Sequence, residues 1–97
     1  MDPDLSDLSI ADIVCSLAGR DKGKLFYVIG MDETYLLLVN GNDRTIDKPK
    51  KKKRKHAQKV LRSETRVALK IRNGDNVLNS ELRRDLAVIS QEMQVNP

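Results

Sequence analysis

Two stretches of this sequence gather side chains capable of chemistry, and in both the chemistry is that of cations. Gly19-Arg20-Asp21-Lys22-Gly23-Lys24 sets three basic residues around a pair of glycines. Further on, the fifteen residues 48–62 hold nine basic side chains and no acidic one: Lys48, Lys50, Lys51, Lys52, Lys53, Arg54, Lys55, Lys59 and Arg62. The net charge of +4 hides this segregation, because the rest of the 97-residue chain carries nine cations against fourteen anions, or −5. A mildly acidic body with one dense cationic stripe suits a polyanionic partner, since each neutralised phosphate releases condensed counterions.

Other chemistries lack their parts. Gly19 to Lys24 spells G-x-x-x-G-K, but a phosphate-binding loop of the nucleotidase type needs one more residue between the glycines, a Ser or Thr after the lysine and a following helix. Here Leu25 opens an apolar run instead. His56 is the single histidine and has no neighbouring cysteine, so it has no partner for a metal or a catalytic triad. Cys15 is the single cysteine; it can form no internal disulfide, fits a reducing compartment, and reads as a buried inert thiol on an apolar strand. No pair of titratable residues is spaced for shared chemistry, so the chain is read as a non-enzyme without cofactor, metal or small-molecule substrate. The rings are few, Phe26, Tyr27 and Tyr35. Phe26 and Tyr27 are adjacent in a predicted strand and must point to opposite faces, which disfavours a stacking platform for single strands and favours recognition of folded RNA by backbone and shape.

These cations need elements to hold them. The length is about two-thirds of an ordinary domain of roughly 150 residues, enough for one small core. The hydrophobic fraction of 39% and charged fraction of 33% suit a compact domain and exclude a chain immersed in lipid. No apolar run approaches the roughly 20 residues of a membrane helix, and the first residues do not have a signal-peptide pattern, so a cytoplasmic location is expected. Residues 1–12, with four aspartates and no basic residue, read as an acidic, loosely attached tail. Three strand-length apolar runs follow, at 13–17, 25–29 and 35–39, divided by charged or polar turns. Asn40-Gly41 is a hairpin dipeptide, because both residues tolerate positive φ, and residues 43–47 read as a short fourth strand. Pro49 then interrupts any ladder, and mutual repulsion is expected to keep the lysine run extended and solvated, reaching up to about 50 Å over fifteen residues.

Residues 63–73 alternate at Val67, Leu69 and Ile71 as a strand would, yet Ser63 as N-cap and Gly74 as stop favour a short helix. Leu82, Leu86, Ile89 and Met93 recur at spacings of four, three and four, which predicts an amphipathic helix capped by Asn79 or Ser80 and packed on the sheet.

The segment 13–39, IVCSLAGRDKGKLFYVIGMDETYLLLV, with Gly23 at its eleventh place, resembles a KOW motif. The run continuing through VNGNDRTIDKPKKKKRKHAQKV is similar to the SH3-like-barrel ribosomal proteins of the archaeal and eukaryotic large subunit and to short bacterial KOW-domain RNA-binding proteins. The resemblance spans roughly residues 13–62. It implies a mainly β fold with C-terminal helices: a small SH3-like (KOW) barrel over 13–47, a basic RNA-binding segment over 48–62, and one or two α-helices within 63–97. It also implies RNA contacts from Arg20, Lys22 and Lys24 at the hairpin tip and from the basic run, His56 included. The expected partner is RNA, ribosomal RNA or a ribosomal particle, bound by a protein that is monomeric when off RNA and makes no use of a membrane. Two other readings stay open: a protein-interaction adapter, and a nuclear or DNA-associated protein for which PKKKKRK serves as an import signal.

Overall fold

The computed structural model describes residues 8–95. Five strands, β1 (Asp12–Ser16), β2 (Leu25–Met31), β3 (Tyr35–Val39), β4 (Lys50–Lys53) and β5 (Ala57–Arg62), form one antiparallel sheet in the order β4-β3-β2-β1-β5. Two helices follow, α1 (Arg66–Asn73) and α2 (Asn79–Val95).

The strands are continuous apolar runs, not alternating ones, because the sheet is covered on both faces. Ile13, Tyr27 and Val39 lie side by side on one face and pack with Val67 and Ala68 of α1 and with Leu82, Leu86 and Ile89 of α2. Val14, Phe26, Val28, Leu36 and Leu38 point the other way, into a second core closed by Leu8 and Ala57. Bulges between Ile13 and Val14 and between Val28 and Gly30 curl the sheet around this second core.

The sheet does not close into the expected barrel. A single 3-10 turn, Arg54–His56, joins β4 to β5. Its three residues lead straight from the end of β4 to the free edge of β1, where Ala57 pairs with Ser16, so the curl of the sheet brings the ends of β4 and β5 close together, but no strand pairing links the two. The two outer strands therefore remain edges.

The sheet also reaches beyond residue 47. Lys50 to Lys53 are not a solvated strap but β4, paired residue for residue with Leu38, Leu37, Leu36 and Tyr35. Backbone pairing and one buried ion pair outweigh the mutual repulsion of the lysines. Residues 43–47 form no fourth strand, only turns with a single bridge from Thr45 to Lys48. Asn40-Gly41 accordingly opens a longer loop instead of a two-residue hairpin. Of the acidic N-terminal segment, residues 1–7 lie outside the described residues, while Leu8, Ala11 and Asp12 are buried in the body of the protein. Asp12 accepts from the Ser9 amide at 2.8 Å and faces Lys59 at 3.5 Å.

Residues 66–73 are helical, with Val67 and Ala68 buried. The cap is Thr65, which accepts from the Ala68 amide, and not Ser63, whose hydroxyl is taken up by Tyr27 at 2.9 Å. Gly74 ends the helix in the left-handed region at φ +75°. On α2, Leu82, Leu86 and Ile89 are buried as the spacing predicts, whereas Met93 is exposed. Asn79 does not cap α2. Its side-chain oxygen accepts from the Ile46 amide at 2.9 Å, and Glu81 accepts from the Leu78 amide at 3.1 Å instead. A buried hydroxyl cluster locks the helices to the sheet. Tyr27 donates to Asp85, which also accepts from Thr65 at 2.9 Å. Burial, and next the Asp85 carboxylate, push the Tyr27 hydroxyl up to about 12, so it holds its proton.

Candidate nucleic-acid interface

The tip of the β1–β2 hairpin is a compact knot. Ser16 and Lys24 close its neck through Ser16 N–H to Lys24 O at 3.0 Å and Gly23 N–H to Ser16 O at 2.8 Å. Gly23 takes φ +89°, the reversal its position in the sequence predicts. Arg20 and Lys22 are exposed on this knot, and Lys24 is half-exposed and pairs with Asp43 at 2.9 Å.

Lys52 ties the knot to β4. It is only 7% exposed, and its ammonium donates to Ser16 Oγ at 2.8 Å, Ala18 O at 2.7 Å and Asp21 Oδ1 at 2.8 Å. Burial opposes ionisation of Asp21, but hydrogen bonds from Lys52 and Ser16 and the charge of Lys52 outweigh it and hold the carboxyl below its usual range. Lys52 is thus an internal strut that joins segments about thirty residues apart, and it is not placed to grip a ligand.

The β3–β4 loop completes the edge of this surface. Asn40 Oδ1 accepts from the amides of Asn42 and Arg44, both at 3.0 Å, and its Nδ2 donates to Asp43 at 2.7 Å. Those bonds to Asp43, from Asn40 first and Lys24 second, pull its carboxyl down to about 2. Helix α2 clasps the same loop: Arg83 donates to Gly41 O at 2.6 Å. Gly41, at φ +76°, lies so close to the helix start that a Cβ there would stand 2.2 Å from Asn79 O. Helix α2, which lines a hollow with Lys24 and Asp43, therefore holds the loop that presents Arg44.

Between knot, loop and β4 lies a hollow of about 250 Å³ lined by Arg20, Asp21, Lys24, Arg44, Lys50 and Lys52, with Gly19 and Asp43. The structure thus gathers four predicted residues, Arg20, Lys24, Lys50 and Lys52, and adds Arg44. As an isolated cation in a polar turn, Arg44 carries no pattern that singles it out in the sequence.

The other predicted residues are distributed around the sheet. Lys51 and Lys53 share the opposite face of β4, where Lys51 sits 4.4 Å above the Tyr35 ring. Lys48 is exposed in the loop before β4, and Lys55 is exposed in the 3-10 turn with His56 half-buried beside it. Arg54 donates to Asp32 O at 2.9 Å. Lys59 and Arg62 stand on β5 at the far edge, facing Asp12 and Glu64. Phe26 and Tyr27 are both fully buried. Among the described residues no three His, Cys, Asp or Glu side chains are grouped so as to hold a metal ion, and no helix is long and apolar enough to cross a membrane.

No protein-family model matches the chain, and a search of the curated proteins finds no similar one.

Proposed function

We propose that this protein is a non-catalytic RNA-binding module that takes folded RNA, ribosomal RNA in the first place, by contacts to its phosphates. The observation that carries the reading is the Lys52 strut. By docking the hairpin tip on β4, it makes Arg20, Lys22, Lys48, Lys50 and Arg44 parts of one preformed cationic surface, although the acidic residues outnumber the basic ones outside the 48–62 run. The grip differs from that of a flexible strap. Four β-residues rise only about 13 Å, so phosphates meet a short rigid array instead of a long trailing chain. Rigid lysines in a strand also lose less entropy on binding than a disordered arm does. The ring faces favour backbone over base recognition, since Phe26 and Tyr27 are internal and Lys51 covers Tyr35. Tyr35 alone of the three rings lines a surface hollow, beside Met31, Leu37 and Lys51, and one ring is less than the aromatic-lined groove with which a peptide adapter grips its ligand.

With Lys24, Lys52, Lys59 and Arg62 facing acids, a slope of log affinity against log salt of roughly −3 to −5 is expected, from about four or five phosphates. Fluorescence anisotropy of a structured RNA hairpin over a potassium chloride series measures it. The triple change Arg20→Gln, Lys22→Gln and Lys50→Gln should weaken binding and flatten the slope by about one for each phosphate that is no longer neutralised. Affinity indifferent to salt would overturn the proposal. A second reading rests on β4 being an edge strand with lysine at every position, which blocks edge-to-edge association. If that is the role of the run, Lys51→Gln with Lys53→Gln, the two exposed lysines of β4, makes the protein self-associate, and the Arg20, Lys22 and Lys50 triple variant leaves RNA affinity unchanged.

A further inference from the structure

We infer that the hollow between the hairpin tip and the β3–β4 loop is a discrete seat for one phosphate group, with Arg44 as its principal fork. The inference rests on the RNA-binding reading and deepens it, by naming the group that is held and the residues that hold it.

Three features of the hollow favour an anion of this size. First, the charge of each of its two acids is already countered by a cation: Asp21 Oδ1 accepts from Lys52 and Ser16, its Oδ2 having no hydrogen bond, and Asp43 accepts from Lys24 and Asn40, all within 2.9 Å. An incoming anion thus meets neutralised carboxylates, and the lining keeps a formal surplus of three positive charges from Arg20, Arg44 and Lys50. Second, the side chains of Arg20, Arg44 and Lys50 make no hydrogen bond or ion pair with the described residues, so their donors are available, and a guanidinium presents them in the planar fork that fits two phosphate oxygens. Third, the frame is stiff. The Asn40 side chain fixes the Arg44 amide, Arg83 fixes Gly41, and Lys52 fixes the tip, so the cations are brought together before any ligand arrives. A volume of about 250 Å³ accommodates a phosphate with its waters but lies below the roughly 300 Å³ at which pockets for whole small molecules begin.

The phosphate could be an internal diester or a terminal monoester of RNA; both share this chemistry, and the test separates them. Amide chemical shifts of the full chain are followed during titration with inorganic phosphate against sodium chloride at matched ionic strength. Saturable shifts at Arg20 to Lys24 and at Arg44, absent in Arg44→Gln and retained in Lys53→Gln, are the expected result. Shifts equal to those in chloride, or unchanged by Arg44→Gln, would overturn the inference. Because the Arg44 side chain has no partner among the described residues, the rest of the amide spectrum of Arg44→Gln should match the parent and report an intact protein.

The same RNA hairpin is then bound with a 5′-phosphate and with a 5′-hydroxyl. A terminal seat gives the phosphorylated form a roughly fivefold to tenfold advantage that Arg44→Gln erases. An internal seat gives equal affinities, both weakened by Arg44→Gln, with the salt slope reduced by about one. Salt-sensitive RNA binding without phosphate shifts at the hollow would remove the seat and leave the RNA reading intact. Phosphate shifts without any RNA binding would keep the seat and remove the RNA reading.

Discussion

Replacing Lys52 with methionine tests the central structural claim, that one lysine in the basic run is an internal strut. Its ammonium makes three hydrogen bonds of 2.7–2.8 Å inside the protein, one of them to Asp21. Methionine keeps most of the volume but leaves Asp21 with Ser16 as its remaining side-chain partner, and its second carboxylate oxygen has no hydrogen bond even in the parent. Breaking one half of a buried pair in this way costs about 3–5 kcal/mol. Against a total of about 5–15 kcal/mol for a single domain, that is a large share. At about 4–8 °C per kcal/mol, the melting temperature should fall by at least about 12 °C. Lys53→Met, on the neighbouring exposed position, should stay within about 0.5 kcal/mol. Adding Asp21→Asn to Lys52→Met should restore about 1–3 kcal/mol, because the amide left behind carries no charge. Urea unfolding followed by circular dichroism gives the three free-energy differences, and a thermal melt gives the temperature. If Lys52→Met and Lys53→Met unfold at the same urea concentration, the strut does not exist and the run is solvated after all.

Three further outcomes follow from the same geometry. Gly41→Ala should destabilise by more than about 2 kcal/mol in thermal melts, because a Cβ there would stand 2.2 Å from Asn79 O, whereas Gly74→Ala, with nothing within 4 Å, should show only the conformational penalty of about 1 kcal/mol at positive φ. Tyr27→Phe should cost about 1–3 kcal/mol by leaving Asp85 and Ser63 without the phenol, and a loss below about 0.5 kcal/mol in urea unfolding would show that the hydroxyl cluster does not hold the helices. Asp21, Asp32, Asp43 and Glu81 all titrate below the usual carboxylate range in the folded protein, so their contribution is complete above the unfolded pKa of about 4 and is lost as the pH falls through the folded values, down to about 2 for Asp43. Urea midpoints should therefore drop steeply between about pH 4 and pH 2, and less steeply in Asp43→Asn.

Much of the scaffold is legible in local pattern. Apolar runs bounded by turn residues mark β1, β2 and β3, and the spacing of Leu82, Leu86 and Ile89 marks the buried face of α2, since period and length are properties of neighbouring residues. Gly23 and Gly74 stand where positive φ is needed. The cap of α1 lies two residues beyond the expected Ser63, because Ser63 and Thr65 are both able to cap and Tyr27, thirty-six residues from Ser63, takes up the serine hydroxyl. Residues 43–47 look like a strand, yet Asn40 and Asn79 bind their backbone into a loop.

The inventory belongs to the sequence: a small sheet followed by helices, a cationic tip and a dense basic run, set apart from an acidic remainder. Tertiary structure alone decides which of those cations are presented and which are internal. Four consecutive lysines are identical as text, and their fates diverge because a strand sends alternate side chains to opposite faces. One face of β4 leads to the buried oxygens of Ser16, Ala18 and Asp21, and the other leads to solvent and Tyr35. Burial of an ammonium depends on partners being in place, and those partners come from a hairpin tip about thirty residues away, so no local pattern encodes it.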